Sequence, residues 1–323
     1  MHKGHSVKVL DHGYLKLVDW MGTEEDIIRA ARMSTGRGFE RWDAGEVCKQ
    51  CRIPREEVGI VGSLDGGAPG FSSPRCLEGQ SDLHQWVEVP GDLKLLERLY
   101  KFGHMTPFEM CTIKIEVQAP LFVFREWHRH RTWSYNEFSA RYSQMPNLHY
   151  LPDVSRVQRQ SKLNKQGSAG AMDEAWALEW LDLIEEEQSD IYKFYDESIQ
   201  AGLANELARI DTPVSRYSKM QACVDLRNLL GFLSLRREGG AQFEIRQFAD
   251  VLGTVAQTLW PRTYGLWEEH TFYAKKFSRT EHEKLKAAIS LVRGLATCLN
   301  DGTNERLDVR EAMATLESLG FAA

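Results

Sequence analysis

The 323-residue chain has no long apolar run. Its longest obvious one, near Pro120, is far shorter than a bilayer span, so no membrane-embedded role is expected. The opening residues, MHKGHSVKVLDHGYLKL, hold no apolar core of the kind a secretory leader requires. Cysteine is sparse. The six present are scattered without a dense framework, which excludes a disulfide-built fold and points to a reducing cytoplasm. Excess positive charge is absent too, and a net charge of −6 is wrong for a protein whose whole surface attracts nucleic acid. No repeat recurs at a fixed period. What is present is ordinary globular composition, 42% hydrophobic and 27% charged, long enough to bury a substantial core in one or two domains.

Against that background one stretch stands out: RHRTWSYNEFSAR, Arg129 through Arg141. It holds three arginines, a histidine, two serines, an asparagine and a glutamate, a content that no hydrophobic core needs. Guanidinium forks match phosphate bidentately and stack on flat rings, while carboxylate and hydroxyl groups read the edges of a heterocycle. The preceding PLFVFREWH, Pro120 to His128, is apolar and aromatic, as expected of a buried helix that delivers the arginines to a cleft. On the residues alone, the run also reads as a solvated arginine-rich helix. A third reading is a nucleic-acid-binding module that stacks bases on Trp127, Trp133 and Tyr135.

The rest of the chain gives the frame. Residues 6–20 read as two short strands about the turn Asp11, His12, Gly13, followed by a helix capped by Thr23 and running from Glu24 to about Ser34. From about 36 to 90, Gly, Pro and Ser gather and periodicity fades, as in a loop or a small inserted subdomain. Cys48, Cys51, Cys76 and His84 fall there. Their types suit tetrahedral zinc, although the second half matches no standard ribbon and unpaired thiols are the plainer reading. A helix is expected over Asp92 to Gly103, then a Pro-initiated turn in HMTPFEM with Phe108 in the core. Strict alternation over 111–118 predicts a strand with Cys111, Ile113, Ile115 and Val117 inward. Residues beyond Tyr142 are polar and read as loop up to a long amphipathic helix over about Met172–Ala201. A further helix, from Ala241 to about Leu259, stops at Pro261. Ser278 and Glu281 then read as a capping box that opens a last helix, with an apolar stripe through Leu285, Ala288, Ile289, Val292, Ala296 and Leu299.

The run Arg129–Arg141 resembles the signature of flavin-dependent thymidylate synthases, RHR-x-x-S-x-N-E-x-S-x-R. Arg129, His130, Arg131, Ser134, Asn136, Glu137, Ser139 and Arg141 fill every specified position. HMTPFEM resembles the family's H-x-T-P-F-E-H element, with Met110 replacing its last histidine, and LVDWMGTEEDIIRAARMS resembles its amino terminus. Residues 205–246 resemble a second family segment, a strand followed by a helix. Together the likeness covers most of 6–35 and 91–275.

The resemblance implies an α+β fold, an antiparallel sheet with surrounding helices. It implies a catalytic domain over 1–275, interrupted by the insertion at about 36–90, and a C-terminal helical extension over 276–323. The implied reaction is reductive methylation of dUMP to dTMP, with methylenetetrahydrofolate giving the carbon and NADPH-reduced FAD the hydride. The enzyme is expected in the cytoplasm as a homotetramer whose chains share active sites, with neither membrane nor nucleic acid as partner. The cofactor residues implied are Ser34 (with Arg32 nearby), Thr106, Arg129, His130, Arg131, Glu137, Asp225, Leu226, Arg227 and Gly231. The substrate residues are Glu126, Trp127, His128, Arg129, Glu137, Phe138, Ser139, Ala140, Arg141, Arg209 and Arg236. Arg236 and Ser139 are assigned to catalysis, and Arg209 to the nucleotide phosphate. No cysteine falls within the arginine-rich run, so the implied chemistry needs no thiol nucleophile. Glu126 stands where many relatives have glutamine, and Gly231 and Gly240 where histidine or asparagine is common; a changed pyrimidine substrate or product is the alternative these departures allow.

Overall fold

The computed structural model describes residues 2–49, 52, 85–162, 165 and 167–300. Backbone proximity divides the chain into two compact units, Met1–Phe272 and Tyr273–Ala323. In the first, β1 (Ser6–Val9) and β2 (Gly13–Met21) form a hairpin, α1 (Glu24–Arg32) follows, and β3 (Gly45–Cys48) pairs with β4 (Trp86–Val89) in a small separate ladder. Next come α2 (Leu93–Lys101), β5 (Thr112–Pro120), α3 (Leu121–Trp127) and β6 (Ser134–Glu137). A second small ladder, β7 (Gln158–Gln160) with β8 (Ser168–Ala171), precedes α4 (Glu174–Gln200) and the one-turn α5 (Asn205–Ala208). The unit closes with β9 (Tyr217–Asp225), α6 (Leu226–Arg236), α7 (Phe243–Leu259) and α8 (Pro261–Trp267).

The main sheet has five strands, all antiparallel, in the order β1-β2-β5-β9-β6, which is the α+β architecture expected. Alternation decides its faces. Ile113, Ile115 and Val117 of β5 are wholly buried between Leu15 and Leu17 of β2 and Met220, Ala222 and Val224 of β9. Helices α6 and α7 close that face with Leu229, Phe232, Phe248 and Leu252 in the same core. Each such side chain contributes roughly 1.5–3 kcal/mol through burial. The other face carries the exposed Lys114, Lys219 and Gln221.

The helix ends obey local chemistry. The Asp26 carboxylate accepts from the Thr23 N–H at 2.8 Å and the Thr23 hydroxyl at 3.0 Å, fixing the start of α1. After α2 the chain reverses through Gly103 at φ +72°, where a side chain would be strained. Pro261, expected to end the preceding helix, occupies the first turn of α8, where its missing N–H costs no hydrogen bond.

Two expectations change. The 142–171 stretch contains the β7–β8 ladder, whose QRQ and SAGA sequences have no apolar alternation to announce it. The ends of the 36–90 insertion are the paired β3 and β4, while Cys51, Cys76 and His84 of the zinc candidate lie outside the described residues. Cys48 is buried at the end of β3. Among the described residues no His, Cys, Asp or Glu cluster is arranged to hold a metal, and no helix is long and apolar enough to cross a membrane.

In the second unit, α9 (Arg279–Asn300) opens on the expected capping box. The Ser278 N–H donates to Glu281 at 2.7 Å, and the Glu281 N–H donates to the Ser278 hydroxyl at 3.2 Å. Ile289, expected on its packed stripe, is exposed.

Candidate active site

The arginine-rich run leaves α3 through a tight turn. The Tyr135 hydroxyl stands 3.0 Å from the Trp127 carbonyl and 2.9 Å from that of His130, so a bond to these acceptors ties β6 back onto the end of the helix. Arg129 and Arg131 are exposed and, among the described residues, have no carboxylate partner. His130 turns inward, its ring 4.8 Å from that of Phe232 on α6.

At the last residue of α6, Arg236 meets this turn with three bonds. It donates to the Glu126 carboxylate at 2.8 Å, the Glu126 carbonyl at 3.0 Å and Nε2 of His130 at 3.1 Å. A guanidinium has no lone pair to offer, so His130 must accept at Nε2 and carry its hydrogen on Nδ1. Burial, reinforced by the Arg236 cation, pulls His130 down to about 4. Burial also raises the Glu126 carboxyl above its ordinary range, with Arg236 opposing. The result is a half-buried cation held by one carboxylate and one neutral imidazole.

At the far end of β6, Glu137 accepts from the Ser218 hydroxyl at 2.9 Å, and the turn Ser139–Arg141 follows. Arg141 lies 3.3 Å from Glu206 on α5, and Arg209 begins the short turn after that helix, so both fall beside one element. Phe138 and Ala140 pack with Tyr195 and Ala208 in a second small core that steadies this corner. Four strand residues at ~3.3 Å each put roughly 13 Å between this arginine group and Arg129–Arg131. A third group sits at the start of α6. There Arg227 pairs with Glu109 at 2.6 Å, next to the exposed Thr106 of the same 3₁₀ turn. Along α6, the rise from Arg227 to Arg236 separates that group from Arg236 by roughly 14 Å. Ser34 is exposed in the turn after α1, and Gly231 is exposed midway along α6.

Several expected contacts do not survive as side-chain contacts. Trp127 is wholly buried against Phe232 and Phe248, so its ring belongs to the core and cannot meet a nucleotide. Leu226 is wholly buried as well, which takes its side chain away from a flavin. Both Asp225 oxygens cap α6, accepting from Asn228 N–H at 2.9 Å and from its amide at 2.6 Å. Arg32 donates to the Gly38 carbonyl at 2.8 Å and pairs with Asp92, anchoring the loop after α1. Trp133 is 5% exposed and the Tyr135 hydroxyl is engaged, so the base-stacking platform of the nucleic-acid reading is not formed. One cysteine, Cys223, does lie in the second segment. It stands beside Ser134 in register, on the sheet face opposite the buried Ala222 and Val224.

Sequence reasoning missed two adjoining cavities, of about 900 and 530 Å³, that share Tyr150 and Arg156; the buried Glu244 lines the smaller. No residue of the arginine-rich run lines either.

A family model described as "Thymidylate synthase complementing protein" (Thy1) matches residues 16–262. A "Flavin-dependent thymidylate synthase" of Wolbachia pipientis wMel is 34% identical over 282 residues, 87% of this chain and 83% of the relative. One of Rickettsia prowazekii (strain Madrid E) is 33% identical over 297 residues, 88% and 85% of the two chains. Among solved structures, the UMP/dUMP methylase PolB from Streptomyces cacaoi, bound with 5-Br UMP, has a TM-score of 0.60 at 24% identity. It covers 82% of this chain and 98% of its own.

Proposed function

Because this chain belongs to the flavin-dependent thymidylate synthase family, we propose that it carries out the reductive methylation of dUMP to dTMP with FAD, NADPH and methylenetetrahydrofolate. The single observation that carries the residue assignment is Arg236, fixed by Glu126 and neutral His130 beside two unpaired arginines.

The residues fit a flavin dinucleotide. Arg129 and Arg131 are exposed cations with no carboxylate partner among the described residues, suited to its diphosphate, and His130 and Arg227 flank α6. The flavin, once reduced by NADPH, supplies the hydride, and the folate supplies the carbon. The chain's own part is to bind, orient and polarise. Arg141, paired with Glu206 of α5, and Arg209, in the turn after α5, clamp the nucleotide phosphate, with Ser139 and Ala140 lining it. Glu137, steadied by Ser218, faces both nucleotide and flavin, and His128 and Phe138 border them. Arg236 stabilises negative charge on the uracil, favouring the form deprotonated at N3 and so raising electron density at C5. The carboxylate of Glu126 holds Arg236 at that position. Its nearness to the base is also what makes pyrimidine choice sensitive to this residue.

We infer that the sites are completed by neighbouring chains of a homotetramer. A single chain then gives Arg129 to one site and Arg141 to another.

Two measurements decide the matter. The purified protein should be yellow, with a flavin spectrum. It should also release tritium from 5-tritiated dUMP only when folate and NADPH are present. A colourless protein, or release independent of folate, would overturn the reading. UMP run beside dUMP decides the sugar preference.

A further inference from the structure

Arg236 is the last residue of α6, and Glu238, Gly239 and Gly240 just beyond it are exposed. A helix end followed by such residues frays unless something holds it, because its last carbonyls have no onward partner. Here the hold comes from the back of the helix. Arg237 keeps helical backbone angles, and its N–H donates to the Leu233 carbonyl at 3.0 Å. At 3.6 residues per turn, Ser234 and Arg237 share one side of α6, whereas Arg236 lies about 160° from the first and about 100° from the second.

Both rear residues are gripped by neighbouring helices. The indole N–H of Trp267 on α8 donates to the Ser234 hydroxyl at 2.8 Å. Nε of Arg237 donates to Asp250 of α7 at 3.0 Å, and Nη1 donates to the Tyr264 hydroxyl of α8. The same guanidinium lies over the rings of Trp267 and Phe272, 5.8 and 5.3 Å from their centres. Gly253 of α7 leaves the room for it, since a Cβ there would stand 3.1 Å from Nη1. Trp267 and Tyr264 are buried, so the grip is seated in the core. A planar fork bonded to an acid and a phenol while stacked on two rings is fixed in every direction.

We propose that Arg237 is a positioning residue for the reaction: it clamps the last turn of α6 onto α7 and α8 and so aims Arg236 at the uracil. Arg237 acts through Arg236 and does not itself meet the base. This inference rests on the thymidylate reading of Arg236 given above.

Single-turnover dTMP formation by the full flavin-loaded protein tests this in Arg237→Ala and Asp250→Ala. The two variants change local charge in opposite directions but release the same clamp, and the exposed Asp250 can be replaced without opening the core. Both should be slower than wild type, Arg237→Ala by about tenfold and Asp250→Ala by about threefold, with KM for dUMP within about twofold. Because Arg236 favours uracil deprotonated at N3, the acid limb of the rate–pH profile should move to higher pH, by about one unit for a tenfold loss. His130 gives a readout that needs no turnover. Followed by NMR, its titration should rise from about 4 in both variants as the Arg236 cation leaves it. If Arg237→Ala keeps wild-type turnover, if Asp250→Ala is as fast as wild type or faster, if the loss lies in KM with the acid limb unmoved, or if His130 titrates as in wild type, the proposal is wrong. A wild-type preparation that forms no dTMP would instead overturn the thymidylate reading, and the His130 titration would still decide whether Arg237 holds Arg236 in place.

Discussion

Replacing Arg236 with alanine separates what this residue does for the fold from what it does for the reaction. In the free protein its guanidinium makes three bonds, two to Glu126 and one to His130. Its ion pair is partly exposed, with side-chain accessibilities of 19% and 26%, so its loss should cost ~1 kcal/mol, and the accompanying hydrogen bonds about as much again. The stability loss of roughly 2 kcal/mol corresponds to a few degrees in melting temperature. Turnover should fall further. Removing one fixed electrostatic contact to a developing anion slows reaction by on the order of 100-fold, about 2.7 kcal/mol. The assay is single-turnover dTMP formation beside thermal unfolding, for Arg236→Ala, Glu126→Gln and the double variant. Glu126→Gln should lose ~1 kcal/mol of stability and less than tenfold in turnover. The double variant should destabilise by less than the sum of the singles, because the partners are in contact, and remain as slow as Arg236→Ala. If Glu126→Gln alone slows turnover as much as Arg236→Ala, the arginine works by holding the carboxylate and the assignment to uracil is refuted.

Other outcomes follow from the same geometry. His130 falls from an ordinary 6.5 to about 4, so the folded state binds fewer protons than the unfolded chain between those values. The stability it contributes is present above 6.5 and is lost as pH drops toward 4. Chemical denaturation across that window should show the advantage of wild type over His130→Gln shrinking with acidity, and a constant difference would contradict the assignment. Trp127→Ala should lose about 3–5 kcal/mol in a urea melt, whereas Trp127→Phe should leave the KM for dUMP near wild type, since the ring is core. Inactive Arg129→Ala and Arg141→Ala chains, unfolded and refolded together, should regain part of the activity through hybrid tetramers. No recovery, or an active monomer by sedimentation, would rule out shared sites.

How much could be read beforehand varied with the kind of signal. β5 was legible because alternation over Cys111–Val117 fixes which residues face inward, and the caps at Thr23 and Ser278 because their partners lie three residues away. The resemblance carried the family, yet it did not separate ring contacts from backbone ones. Trp127 sits amid ligand-type residues in sequence while its own side chain fills the core. The Glu244 cavity was invisible for a different reason. Gln188 and Glu244 are polar residues on long helices, fifty-six positions apart, and each reads singly as part of a solvated face. Only tertiary packing shows that both are buried and unsatisfied.

Asp225 is both the last residue of β9 and the cap of α6, so the strand passes into the helix with no linker between them. Sliding β9 by a single residue would invert its faces and swing every α6 side chain by about 100° around the axis. Arg236 would then leave Glu126 and His130 together. The aim of that guanidinium is thus set by the pairing of Thr112 with Asp225, more than two helical turns upstream. Insertions and deletions should be far better tolerated in the 142–171 connection than anywhere from Tyr217 to Arg236.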